Sequence, residues 1–130
     1  MKDGLQVGDT ATLTVEVTRK MFAQFGGELV HPAYSTASMV YHMEWAARKL
    51  IIPYLEEHEE GMGAAVSVQH LAPSGLGTVI QVTAIVTQIS KRGVTADVTV
   101  KNQHGFIGKG EVQQAILPKA VINEKLSAAT

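Results

Sequence analysis

The 130-residue sequence contains no cysteine. Disulfide frameworks, thiolate nucleophiles and cysteine-ligated zinc sites are thereby excluded. Long apolar runs are missing too: none approaches the ~18 residues that a membrane-spanning helix needs. The opening Met1-Lys-Asp-Gly4 has no apolar core behind its lysine, so no secretory leader is expected. Neither sign of charge dominates. Eleven basic and twelve acidic side chains leave a net charge of −1, which argues against a chain built to bind nucleic acid. Gly-x-Ser-x-Gly elbows, Walker loops and dinucleotide glycine patterns are all absent. What is present is 45% hydrophobic and only 18% charged, too apolar for a disordered tail. The length suits one domain that buries about two-thirds of its unfolded surface without cross-links. The expectation is a cytoplasmic globular chain with no metal and no cofactor.

Hydrophobic periodicity divides the chain. Residues 11–18 alternate, with Leu13, Val15 and Val17 on one side and Thr12, Thr14 and Glu16 on the other, as in a half-buried strand. Met21 to Tyr34 has no clean period and contains Gly26-Gly27 and Pro32. It reads as a long loop with at most a short helical turn, of the kind that often covers a site. From Thr36 to Tyr54 the period becomes helical through Met39, Val40, Met43, Ala46, Ala47, Leu50, Ile51 and Tyr54. Ser35 or Thr36 supplies the cap, Pro53 ends or kinks the helix, and its length is roughly 28 Å. Gly61 and Gly63 then read as breaks.

Strands are expected at 64–71, 78–90, 94–101 and 106–117, joined by turns at Lys91-Arg-Gly93 and Asn102-Gln-His-Gly105. Consecutive hairpins imply an antiparallel sheet, and one helix on its face implies an α+β two-layer domain over residues 1–118. Residues 119–130 read as a loose C-terminal tail. One helix cannot cover a sheet of five to six strands, so self-association, most simply as a two-fold homodimer, is expected.

Few residues are placed for chemistry. Glu44 lies at or within the apolar stripe of the helix, where a carboxylate is costly unless paired or solvated. It is either an i,i+4 partner of Arg48 on an exposed edge or an acid poised as base or nucleophile. Ser35, Thr36 and Ser38 cluster at the helix start. One of them is the cap, and the unpaired N–H groups there suit a carbonyl oxygen gaining charge. Thr36 and Glu44, eight residues apart, are separated by roughly 12 Å of rise, so they border one groove without touching. His70 ends a strand and is either structural or catalytic. His42-Met-Glu44 matches the start of a zinc-deaminase motif, but the required cysteines are absent, and His31, His42 and His70 lack metal-ligand spacing.

These residues resemble hot-dog-fold acyl-CoA thioesterases, and in particular the fluoroacetyl-CoA thioesterase branch. The resemblance covers about Met1 to Pro118. It is carried by Met1-Lys-Asp-Gly4 with Val7-Gly8, Thr36, Met39-Val40, Met43-Glu-Trp-Ala46, Pro53-Tyr-Leu-Glu56, Gly63, Val66, Val68 and His70. It implies a long central helix wrapped by an antiparallel sheet of five to six strands, dimerising edge to edge, with active sites at the subunit interface. It implies Thr36, Glu44 and His70 as the catalytic triad, the Gly63 N–H as a donor to the thioester carbonyl, and Tyr34, Ser35 and Val40 beside the substrate. The expected activity is hydrolysis of an acyl-CoA to free acid and CoA; the alternative is a non-catalytic acyl-CoA or acyl-carrier-protein binding module. Hydratase chemistry lacks its Asp-plus-His pair. The fluoroacetyl branch carries gating phenylalanines before its threonine, whereas Gly26 to Ser35 has none, only Val30 and Tyr34 being bulky. A different short or medium acyl group is therefore expected.

Overall fold

In a computed structural model, which describes all 130 residues, the alternating segments become strands of one antiparallel sheet around helix α1 (Thr36–Ile51). The sheet contains β1 (Thr10–Glu16), β4 (Glu59–His70), β5 (Val79–Ser90), β6 (Gly93–Asn102) and β7 (Gly105–Pro118). Their order is β1-β5-β6-β7-β4, so β1 and β4 are the edges. Alternation decides which side faces the helix. Ile80, Val82, Ala84 and Val86 of β5 and Val94, Ala96, Val98 and Val100 of β6 are all buried beneath α1. Thr83, Thr95, Asp97, Thr99 and Lys101 occupy the other face, which nothing in the chain covers. Met39, Met43, Ala46, Ala47, Leu50 and Ile51 form the buried stripe of α1.

Glycine sets the spacing of helix and sheet on β7. A methyl group at Gly108 would stand 2.5 Å from Met39 Sδ, and one at Gly110 would stand 2.7 Å from Met43 Cε. With no side chain at either position, the two methionines, one helical turn apart, rest directly on the strand. Gly61 and Gly63, expected as breaks, lie inside β4, Gly61 for a similar reason. A methyl group at Gly61 would meet Ile51 Cδ1 at 2.5 Å.

Two further expectations are corrected. The stretch read as a loop forms a 3-10 turn at Arg19–Met21 followed by a hairpin, β2 (Phe22–Phe25) and β3 (Glu28–Tyr34). Gly26 and Gly27, with φ of +59° and +83°, make its turn. The hairpin is largely exposed and its register shifts twice, so no apolar alternation marks it. Pro53, lacking an N–H, ends the helix as expected, and the helix gives way after Ile51 to a 3-10 turn at Ile52–Tyr54. The supposed loose tail forms α2 (Lys119–Ala129). It buries no residue completely, so its sequence carries little apolar pattern; Lys119 N–H donates to His58 O at 2.7 Å.

Candidate active site

Thr36 opens α1, and His70 closes β4. Their side chains meet: Thr36 Oγ1 lies 2.9 Å from His70 Nδ1. Ser35 is the cap. Its Oγ accepts the Ser38 N–H at 3.0 Å and donates to Ser38 Oγ at 3.0 Å. Ser35 is buried, so of the hydroxyls at the helix start it is Thr36 that stands open. Thr36 and His70 share a hollow of about 330 Å³ with Ser35, Tyr34, His31, Ala23 and Ala33, the last four being contributed by the hairpin.

Glu44 is two turns further along α1 and belongs to a second hollow, of about 420 Å³. It is exposed, contrary to the expectation of a carboxylate within the buried stripe. The helix has two surfaces here: Met39, Met43 and Ala47 face the sheet, while Tyr41 (62% exposed) and Trp45 (44%) flank Glu44 on the outer side. The ion-pair alternative fails as well. Arg48 turns to Glu60 instead, with Nη1–Oε2 at 2.9 Å and Nη2–Oε1 at 3.1 Å. The hydrogen bond from Arg48 lowers the Glu60 pKa, helped by the Gly61 N–H, and the same bond raises that of Arg48. Glu44 is left with no cation. Its Oε2 lies over Gly63, where a methyl group would be 3.6 Å away. A shift of register between Gly63 and Ala65 bulges the strand at this point.

The chain thus joins Thr36 to His70 and Glu44 to Gly63, but does not join the two pairs. The helix separates Thr36 from Glu44 by roughly 12 Å. Seven strand positions, one of them bulged, separate Gly63 from His70 by roughly 20 Å. Val40 is half-buried between the two ends.

Two side chains matter more than their spacing indicated. Tyr34, expected as a bulky group facing substrate, is only 2% exposed, and its OH lies 2.6 Å from Nδ1 of His42, itself 3% exposed. Burial raises the pKa of Tyr34 and lowers that of His42. Gln114 stands where the β7 alternation calls for an apolar residue, and that was its signal: Val112 and Ile116 flank it on the core face. Its Nε2 donates to Ala47 O at 3.0 Å, and it lines the Glu44 hollow. No three His, Asp or Glu side chains converge as a metal site, and no helix is long and apolar enough to cross a membrane.

The profile of the fluoroacetyl-CoA-specific thioesterase family matches residues 17–120. The chain belongs to this family. Membership makes it a thioester hydrolase, and its sheet and helix are those of the hot-dog fold. Similarity to the family extends beyond the matched region. The fluoroacetyl-CoA thioesterase of Streptantibioticus cattleyicolor is 29% identical over 136 aligned positions, covering 100% of this chain and 98% of that protein. A crystal structure of the fluoroacetyl-CoA thioesterase superposes with a TM-score of 0.91 at 28% identity, covering 98% of this chain and 99% of the other. A Thermus thermophilus hypothetical protein, described as a thioesterase superfamily member, gives a TM-score of 0.93 at 38% identity, covering 97% and 93%.

Proposed function

We propose that the protein hydrolyses a short or medium acyl-CoA to the free acid and CoA as a homodimer. Each active site would combine Thr36 and His70 of one subunit with Glu44 and Gly63 of the other. The observation that carries this reading is the division of the polar groups into two pairs, both attached to the same free strand edge. β4 is hydrogen-bonded to β7 on one side only, is twelve residues long, and exposes Met62, Gly63, Ala64 and Ala65. An unpaired edge of that length is a template for a second strand. Antiparallel pairing of β4 with its own copy, about a two-fold axis passing between Val66 and Ser67, sets Gly63 opposite His70 of the other subunit. The two half-sites then close on each other, twice per dimer. Glu44 is covered in that arrangement, as its aromatic neighbours Tyr41 and Trp45 would be.

The chemistry follows from the groups so assembled. Glu44, free of any cation, acts as base on water or as nucleophile at the thioester carbon. The Gly63 N–H and the N-terminus of α1 stabilise the oxyanion. Thr36, oriented by His70, holds the substrate carbonyl or the attacking oxygen. The C–S bond then breaks, and the CoA thiolate takes the proton released from the water that attacks the acyl carbon. That attack is direct on the base route and falls on the Glu44 anhydride on the nucleophilic one, freeing the acid. The hairpin residues Ala23, His31 and Ala33 line the hollow beside Thr36 where the gating phenylalanines of the fluoroacetyl branch are missing, which supports an acyl group other than fluoroacetyl.

Release of free thiol from fluoroacetyl-, acetyl-, butyryl- and octanoyl-CoA tests the reading, with Glu44→Gln and Thr36→Ala measured beside the parent. Turnover unchanged by Glu44→Gln overturns it. Binding without turnover of every thioester would instead mark a binding module. A monomer in light scattering at micromolar concentration would remove the shared site.

A further inference from the structure

His70 is held by a single polar contact. Nδ1 meets Thr36, while Nε2 is buried without a partner. The ring plane must therefore be fixed by packing. The aromatic neighbour is Tyr34, set edge-to-face against His70 with centroids 6.3 Å apart and planes at 73°. Tyr34 is anchored along its whole length. Its N–H donates to Ser74 O at 2.8 Å, and its OH reaches His42 on α1. The Tyr34 and His42 rings are nearly parallel, at 12°, with centroids 5.7 Å apart. With the phenol as the donor, His42 carries its proton on Nε2. Tyr34 also lies two residues before Thr36, so whatever fixes Tyr34 fixes the approach of the chain to the helix start.

We infer that Tyr34, locked by His42, is a positioning residue: it holds the His70 ring in the orientation that meets Thr36. The inference rests on the reading of Thr36 and His70 as active-site groups. The bond between β3 and α1 is the lock, and the phenol ring is the wall against which His70 stands. Tyr34→Phe keeps the wall and removes the lock. His42→Leu removes the lock from the other side, whereas His42→Gln keeps an amide oxygen able to accept the phenol proton.

The expected result is that Tyr34→Phe and His42→Leu each lower kcat about fivefold with KM unchanged. The double variant should be no worse than either single one, and His42→Gln should recover most of the loss. Nitrogen chemical shifts of the imidazoles, recorded without substrate, supply the second readout. The parent should show His42 as the Nε2–H tautomer, and the His70 nitrogens should move in Tyr34→Phe. His70 signals and kcat both unchanged in Tyr34→Phe would overturn the inference, as would His42 protonated on Nδ1 in the neutral parent. If Glu44→Gln and Thr36→Ala leave hydrolysis untouched, the catalytic reading has failed, while the nitrogen shifts still decide whether Tyr34 orients His70.

Discussion

Gly110 and Gly108 lie two positions apart on the helix-facing side of β7, yet an alanine should be tolerated very differently at the two. At Gly108 the new methyl group meets Met39 Sδ at 2.5 Å and Cε at 2.8 Å, and then Gln69 O at 3.3 Å. The first two are the far end of a flexible side chain that can swing aside. At Gly110 the methyl group runs into the carbonyl oxygen of Ser67 in the backbone of β4, as well as Met43 Cε. A backbone cannot rotate away, so β4 itself must shift. Overpacking of this kind costs about 1–3 kcal/mol, offset by about 0.4–1 kcal/mol from the stiffer unfolded chain. Gly108→Ala should therefore be nearly neutral, losing at most about 1 kcal/mol, whereas Gly110→Ala should lose about 2 kcal/mol. An unfolding entropy of about 2.1 cal/mol/K per residue makes 1 kcal/mol worth about 4 °C in a chain of this length. Thermal unfolding followed by circular dichroism should place Gly110→Ala about 8 °C below the parent and Gly108→Ala within about 4 °C. Val68 of β4 pairs with Gly110, so the same shift displaces His70 and Gly63, and thioester hydrolysis should fall in Gly110→Ala. Equal melting temperatures for the two variants, or a lower one for Gly108→Ala, would refute the packing argument.

Other outcomes follow from the site and its supports. Glu44→Gln should lower kcat by about 10²–10⁴-fold while the fold melts normally, read by thiol release beside circular dichroism. His42 is held below its ordinary 6.5 by burial, so the unfolded chain takes up a proton below pH 6.5 before the folded one does. Stability should be level above that pH and decline as pH falls below it, and His42→Leu should flatten the decline in denaturant titrations between pH 7 and 5. Glu60, held low first by its bond from Arg48, loses its contribution in a separate window, as pH drops below 4.5 and through its folded value. Arg48→Ala should change stability by less than about 1 kcal/mol at pH 7, because both members of that pair are over a third exposed.

The sheet and helix were legible because their periods are strong. Val94, Ala96, Val98 and Val100 alternate without exception, and Met39, Met43, Ala46 and Leu50 repeat at helical steps. Pro53 marked the helix end. The hairpin was not legible, since Phe25, Leu29 and Val30 are exposed and leave no buried alternation to read. Gly61 and Gly63 misled for a related reason: glycine punctuates a chain in sequence, but both lie within β4, and Gly61 makes room for Ile51. Of the site, the residue types at Thr36, Glu44 and His70 could be picked out, and the pairing of Thr36 with His70 is seen in the structure. The placement of Glu44 was misjudged because Val40, Met43 and Ala47 of the stripe surround it in sequence, whereas its neighbours Tyr41 and Trp45 face outward. The Tyr34–His42 bond could not be read at all, since a buried pair between a strand and a helix has no spacing signature.

Subunit mixing probes the shared site most directly. Thr36→Ala and Glu44→Ala homodimers, each inactive, are unfolded together and refolded at equal concentration. If Thr36 and Glu44 act from opposite subunits, half the dimers are mixed and each regains one of two sites, so about a quarter of the parent thioesterase activity should return. Activity no higher than that of either variant alone would contradict an active site divided between two chains.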